Sequence, residues 1–396
     1  MPLCTTGSPV TGQNQLSFHA LAKTRTNSQV DSRGDESQVR NQRAQALMII
    51  SSRHIGNSKF AGPRGESDRS RPMYDAIETP EQITRSKYWF DDGNIILQAE
   101  KTQFRVHRSL LSNQSVVFRD MFSMPQPVAL DPLVDGCPVV FLSDKVNDLG
   151  LVMAVFYDNF KVYNLKELMP FPLLTAILRI GKKYQIEHFQ AEGLERLRSE
   201  FPKDLDAWDV SVANLVLLEE VEDSLENIIN LAHELSIYSI LPGAYVSYLS
   251  LVKMDEIIQG RKINDSEGGG GDTEVKPLRL NERALLQCLK GRDGLIRKFL
   301  DVIKSWLSQP SLILSPQCNQ ATVCPSIAAK AILNLPVMNF AYVSVLDPQD
   351  WDKPRYLCPQ CHLSLGEAFN KARREIWADL PSYFGLPKWD ELVDFA

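Results

Sequence analysis

The sequence predicts an α+β fold: a small sheet flanked by helices, followed by a mainly helical extension. Three observations lead there. Two short apolar segments, Ile95-Ile-Leu97 and the alternating Phe104-Arg-Val106, read as paired strands. A third, Pro138-Val-Val-Phe-Leu142, follows an intervening helical stretch. From Leu173 onward apolar residues recur mostly at spacings of three and four. Strands and helices therefore fall in blocks, not in the alternation of a doubly wound domain.

Taken in order, residues 1–85 are rich in Ser, Thr, Gln, Asn, Arg and Gly, and their apolar residues keep no period. Such a segment buries too little apolar area to offset its chain entropy, so a disordered arm is expected. Within it, Ala44-Gln-Ala-Leu-Met-Ile-Ile50 reads as an incidental apolar patch. Order is expected from Ser86, with Tyr88-Trp-Phe90 as an aromatic entry and Asp92-Gly-Asn94 as a turn. Helical spacing covers Arg108 to Met124, with Ser115 as an N-cap inside it and Pro125 and Pro127 ending it. Asp148 precedes an apolar helix, Leu149 to Phe160. Leu173, Ile177, Ile180 and Tyr184 form one stripe; Phe189, Gly193, Leu197 and Phe201 form another, closed by Pro202. These elements bound a domain over 86–202.

In the extension, 203–310, Asp206 is expected to cap a helix carrying Trp208, Val212, Leu215 and Val216. Ser224 is expected to cap the next, with Leu225, Ile228, Ile229, Leu231 and Leu235. The glycine run 268–271 reads as a flexible loop. An amphipathic helix with Leu295, Phe299, Val302 and Trp306 runs to Pro310. Residues 311–396 are expected to be irregular, cysteine-bearing and packed on the extension. They hold one further stripe (Phe369, Ala372, Ile376, Leu380) and an aromatic tail.

Composition narrows the function classes. The chain of 396 residues has room for about two to three domains. Its net charge of −6 gives no overall attraction to nucleic acid or anionic lipid. Met1-Pro-Leu-Cys-Thr-Thr6 lacks the basic-then-apolar order of a secretory signal, and no run reaches the ~18 apolar residues of a membrane helix. A cytoplasmic or nuclear location is expected. The seven cysteines are then thiols or metal ligands and not disulfides. The chain has no Gly-x-Ser-x-Gly elbow, no Gly-x-x-x-x-Gly-Lys-Ser/Thr phosphate loop and no His-Glu-x-x-His metal helix. An enzyme acting on a small-molecule substrate is not expected.

Asp92-Gly-Asn-Ile-Ile-Leu-Gln-Ala99, Phe104-Arg-Val-His-Arg-Ser-Leu-Leu-Ser112 and Val117-Phe-Arg-Asp-Met-Phe122 together resemble the N-terminal half of BTB/POZ domains. The matched features are an acidic residue before the first strand, Phe-x-Val-His closing the second, and a Ser-x-x-Phe-x-x-Met-Phe helix at Ser115, Phe118, Met121 and Phe122. The likeness spans residues 86 to 200. The whole layout, with the tail Leu380-Pro-Ser-Tyr-Phe-Gly-Leu-Pro-Lys-Trp-Asp-Glu-Leu392, resembles the BTB proteins abundant in mushroom-forming fungi. The resemblance implies a function carried by surfaces: self-association, or binding of proteins such as cullin scaffolds and transcriptional corepressors, including a ubiquitin-ligase adaptor role. It marks Asp92, His107, Phe118, Met121 and Phe122 as partner-binding residues. The chain departs from the cullin-adaptor pattern at Ser123-Met-Pro-Gln-Pro127, where no Glu follows Met124.

Read as residues, Asp92 either shapes a charged pocket or simply serves its turn, and His107 is expected to be a satisfied, partly buried histidine. Cys318 and Cys324 form a pair at spacing six, and Cys358-Pro-Gln-Cys361 is a Cys-x-x-Cys knuckle. Four thiolates, or three with His362, suit tetrahedral zinc. Free thiols and a disulfide or redox pair remain open beside structural zinc. Arg355, Lys371, Arg373 and Arg374 read as a solvated helix face. On a zinc module they would alternatively serve a nuclear regulator contacting DNA. Trp377, Phe384, Leu386 and Trp389 are expected to pack the tail onto the helices.

Overall fold

Ile95-Ile-Leu97 is apolar on both sides of the backbone, so a strand made from it needs cover on both faces. It takes the centre of the sheet. In the computed structural model the described residues are 83–123, 133–158, 168–213, 221–261, 277–333, 335, 346 and 357–396. Strands β1 (Thr84–Trp89), β2 (Ile95–Ala99), β3 (Thr102–Val106) and β4 (Val139–Leu142) form a sheet in the order β1-β3-β2-β4. β2 and β3 pair antiparallel from Ile95↔Val106 to Ala99↔Thr102. β4 joins β2 in parallel, Ile96↔Val139 to Ala99↔Leu142, and β1 joins β3 in parallel. Among the described residues β4 is an edge strand, and its Phe141 is 68% exposed.

The helical stretch after β3 is two helices, α1 (Arg108–Gln114) and α2 (Val116–Ser123). Ser115 makes the break. It is buried, its Oγ accepts from the Phe118 N–H (3.0 Å), and its hydroxyl donates to the Tyr184 carbonyl (2.6 Å). Asn94 Oδ1 accepts the otherwise free Arg108 N–H at the start of α1 (2.9 Å). α3 (Val146–Tyr157) begins three residues before the expected Leu149, which leaves Asp148 inside its first turn, where its charge suits the helix dipole. Phe160 lies outside the described residues. α4 (Phe171–Tyr184) carries the expected stripe and is buried on most of its circumference, packed between α3, α5 (Glu187–Glu200) and a helix of the extension.

The extension continues with α6 (Leu205–Ala213), α7 (Val221–Leu235), α8 (Leu241–Leu251), α9 (Met254–Gln259) and the 27-residue α10 (Glu282–Ser308). Its cap assignments need correction. Asp204, not Asp206, caps α6 by accepting from the Ala207 N–H (3.0 Å). Ser224 lies inside α7 and not before it. Leu215, Val216 and the glycine run 268–271 lie outside the described residues. So do residues 1–82 of the expected arm. Its last residues, Thr84 and Arg85, belong to β1, where Thr84 pairs with Thr102. The boundary was misplaced because this edge strand is mostly exposed and buries only Tyr88.

Residues 311–396 are more regular than expected. They contain α11 (Cys324–Leu333), the 20-residue α12 (Pro359–Ala378) and α13 (Leu380–Tyr383). Their apolar positions were legible only in part because α11 and α12 each begin at a cysteine–proline step. Among the described residues no core boundary falls at 202 or 310: one continuous buried cluster includes Tyr88, Leu178, Trp208, Phe299 and Phe384. Ion pairs follow the same path, as Arg179 of α4 grips Glu234 of α7 through both carboxylate oxygens at 2.7 Å. No helix among the described residues is long and apolar enough to cross a membrane.

Two glycines separate close packing from mere helix propensity. A Cβ on Gly291 of α10 would fall on the buried Phe384 ring, whereas one on Gly150 of α3 would meet nothing within 4 Å. Gly291→Ala is therefore expected to destabilise the chain by about 1–3 kcal/mol in denaturant unfolding. Gly150→Ala is expected to stabilise it by roughly 0.5–1 kcal/mol. Equal effects of the two would contradict this packing.

Candidate functional site

Two cysteines start helices, and that brings the four together. Cys324 is the first residue of α11, and Cys358 is the residue before α12, with Pro359 filling the first helical position where no N–H is needed. Cys361 lies in the first turn of α12. Cys318 sits in a turn, its N–H bonded to the Ser315 carbonyl at 3.1 Å. The chain then turns again into α11, where the Cys324 N–H meets the Gln320 carbonyl at 2.9 Å. The long spacing of the first pair is thus a turn plus a helix start. All four sulfurs lie within 4.8 Å of one another. His362 is not part of this group, so the set is four thiols and not three thiols and an imidazole.

Cys324, Cys358 and Cys361 are buried and Cys318 is partly exposed. Together with Leu314 and Leu357 they form a small cluster apart from the main core. The backbone turns N–H groups towards the sulfurs: Gln320 N–H to Cys318 Sγ and Cys358 N–H to Cys324 Sγ, both 3.4 Å. The positive ends of α11 and α12 point the same way, and both effects favour thiolate. Cys358 responds most. The Cys361 backbone bond to its sulfur, helped by Cys361, Cys324 and Asn319 against the opposing effect of burial, draws it down to about 7. Burial pushes Cys361 up to about 12 and raises Cys324. None of the six described cysteines is in a disulfide. A tetrahedral zinc with bonds of about 2.3 Å needs sulfurs about 3.8 Å apart; Cys318 and Cys358 are 3.9 Å apart, and no sulfur lies more than 4.8 Å from another. The donor set fits a soft divalent cation.

The residues marked by the family resemblance separate into two groups. Phe118 is buried and stacked on Tyr184, ring centroids 4.3 Å apart, so its side chain serves the core. Met121 and Phe122 are half-buried against the edge of the core, the Phe122 ring stacked on Phe118 with centroids 5.7 Å apart and the Arg108 guanidinium over it at 5.2 Å. His107 is partly buried and satisfied on both nitrogens: Nε2 is 3.2 Å from Asp92 Oδ1 and Nδ1 is 3.1 Å from Tyr157 Oη. The Tyr157 hydroxyl also accepts the His107 N–H (3.0 Å). The His107 hydrogen bond holds the Asp92 carboxyl below its usual value, and burial raises Tyr157. Tyr157 was missed by sequence reasoning. It stands 50 residues from its partner at the end of an apolar helix, and no spacing rule links the two.

The basic residues near the knuckle do not form one solvated face. Arg373 is buried, donating to Asp209 Oδ1 (2.6 Å) and to the Leu346 carbonyl. Lys371 and Arg374 are exposed, and Arg355 lies outside the described residues. The tail packs inward as expected: Trp377 and Phe384 are buried, and Leu386 and Trp389 lie against the core. The Trp377 Nε1–H donates to the Lys203 carbonyl (2.7 Å) and the Trp389 Nε1–H to the Trp377 carbonyl (2.8 Å). Cys137 and Cys288 are buried alone, and Cys4 lies outside the described residues. No family model and no curated protein matches this chain.

Removing the Tyr157 hydroxyl leaves the part-buried His107 N–H without its acceptor. Tyr157→Phe is expected to cost about 0.5–1.5 kcal/mol in urea unfolding, the usual net worth of one intramolecular hydrogen bond. An unchanged midpoint would mean that water replaces the hydroxyl.

Proposed function

We propose that this chain is a non-enzymatic protein–protein interaction module of BTB type, with a structural zinc ion held by Cys318, Cys324, Cys358 and Cys361. The observation that carries the docking half is the seating of the motif residues. Phe104, Val106, Leu111, Ser115 and Phe118 lie in one packed unit with the β2–β3 hairpin, Asp92 is exposed, and Met121 and Phe122 are half-buried at the edge of that unit. A module of this kind binds through the outer side of α2, either to a second copy or to another protein. An adaptor role in a ubiquitin ligase is one form of that binding. Nothing in the reading calls for a small-molecule substrate, a membrane or nucleic acid. The DNA-contact alternative loses support, because Arg373 spends its charge on Asp209.

The zinc half rests on four sulfurs within 4.8 Å of one another, three of them at two helix starts and one in the turn before α11, in a cluster with few apolar neighbours. A metal would supply the cohesion that so small a cluster lacks. Cys358 and Cys361 would hold it to α12, and Cys318 and Cys324 to α11. Its role there is to tie the two helix starts together.

Elemental analysis of the purified full chain is expected to find about one zinc per molecule. Cys361→Ser should lose it and lower the melting temperature, and Cys288→Ser should keep it. A metal-free chain that takes up no zinc on titration would end this half of the reading. For docking, light scattering of the full chain should show a dimer, or affinity capture should yield a protein that Phe122→Glu no longer retains. A monomer whose captured proteins are the same for both forms would end the other half.

A further inference from the structure

We propose that the four-cysteine centre is also a site of oxidative modification, at which a peroxide joins Cys318 to Cys358 and releases the metal. The inference rests on the zinc reading above. Three observations support it. First, access is unequal: Cys324, Cys358 and Cys361 are buried, while Cys318 is partly open to solvent. A small neutral oxidant therefore meets the Cys318 sulfur first, and susceptibility to oxidation follows exposure and thiolate character. Metal coordination supplies the thiolate.

Second, a resolving partner is in place. The Cys318 and Cys358 sulfurs are 3.9 Å apart. A disulfide bond is about 2.05 Å long, so the approach is short. Cys318 stands in a turn before α11 and not within a helix, and a turn yields more easily than a helix start. Third, the consequence is confined. The sulfur cluster is separate from the main core, whereas α12 continues into that core through Phe369, Ile376 and Trp377. Loss of the metal would free the starts of α11 and α12 and leave the rest of α12 anchored.

The step balances. The Cys318 thiolate attacks one peroxide oxygen, the O–O bond breaks, and the departing hydroxide takes a proton from solvent to become water. Cys318 is then a sulfenic acid. The Cys358 thiolate attacks its sulfur, the S–O bond breaks, and the second hydroxide becomes water with another solvent proton. Two sulfurs have given up two electrons to the peroxide. The zinc leaves hydrated, and the Cys324 and Cys361 thiolates take up protons. A dithiol reductant reverses the disulfide and is itself oxidised, after which zinc rebinds.

The test treats the zinc-loaded full chain with hydrogen peroxide and follows release with a chelating dye. Differential alkylation and peptide mass spectrometry then map the disulfide. The expected result is about one zinc released per Cys318–Cys358 disulfide, with Cys137 and Cys288 still reduced, and reversal by dithiothreitol plus zinc. Cys318→Ser should slow release if it still holds zinc; if it does not, the mapping on the unaltered chain decides alone. Zinc retained under peroxide, or released with a disulfide that omits Cys318, would overturn this inference and leave the structural zinc intact. A chain that never binds zinc would remove both, and titration with zinc chloride before any oxidant tells the two failures apart.

Discussion

Phe384 can lie against α10 only because Gly291 has no side chain there. The ring is fully buried and stacks on Tyr245 of α8, centroids 4.8 Å apart. That contact joins the longest helix, the most deeply buried helix and the C-terminal segment at one point. α10 presents Ala284, Cys288, Gly291, Leu295, Phe299, Ile303 and Trp306 inward, a continuous stripe along its length. α7, α8, α11, α12 and α13 all pack on it. The cysteine centre is thus held from outside by the same rod that organises the extension, and its two helix starts need only a local clasp.

Much of this was legible in the sequence, and the exceptions share a cause. The β2–β3 hairpin, β4 and the stripes of α4, α5 and α10 announce themselves because their apolar residues fall in short β-type runs or at helical spacing. The β2–β3 turn has no glycine: Glu100 takes the left-handed φ of 51° itself, so only the flanking strands betray it. α8 has no stripe, since it is buried almost all round, and its Pro242-Gly243 start reads as a turn. β1 fails for the opposite reason, being too exposed to alternate. The caps expected at Asp206 and Ser224 were offset by two and four residues because Asp and Ser suit several positions near a helix start. Among site residues the four cysteines could be found from pairwise spacing alone. Tyr157 beside His107, and Asp209 beside Arg373, could not, because tertiary structure alone sets them together.

Charges buried in the extension act as alignment devices. Arg261 meets fully buried Glu226 through two hydrogen bonds of 3.0 and 2.9 Å. Arg373 meets Asp209 and a backbone carbonyl. Such pairs add little net stability over a hydrophobic substitute, yet removing one partner costs about 3–5 kcal/mol. Any packing in which the partners fail to meet is disfavoured by that amount. Arg373 illustrates how a residue that looks like part of a basic surface can be committed elsewhere.

Asp394 accepts from the Arg198 side chain (2.8 Å) and from both the N–H and the hydroxyl of Ser239 (2.8 and 2.6 Å). Arg198 and Asp394 are separated by 196 positions. The contact therefore closes a loop of 196 positions, whereas the β2–β3 hairpin and α1 close locally. Contacts of such sequence separation form slowly, because loop closure precedes any gain. Asp394 is thus expected to engage Arg198 and Ser239 after the local elements have formed.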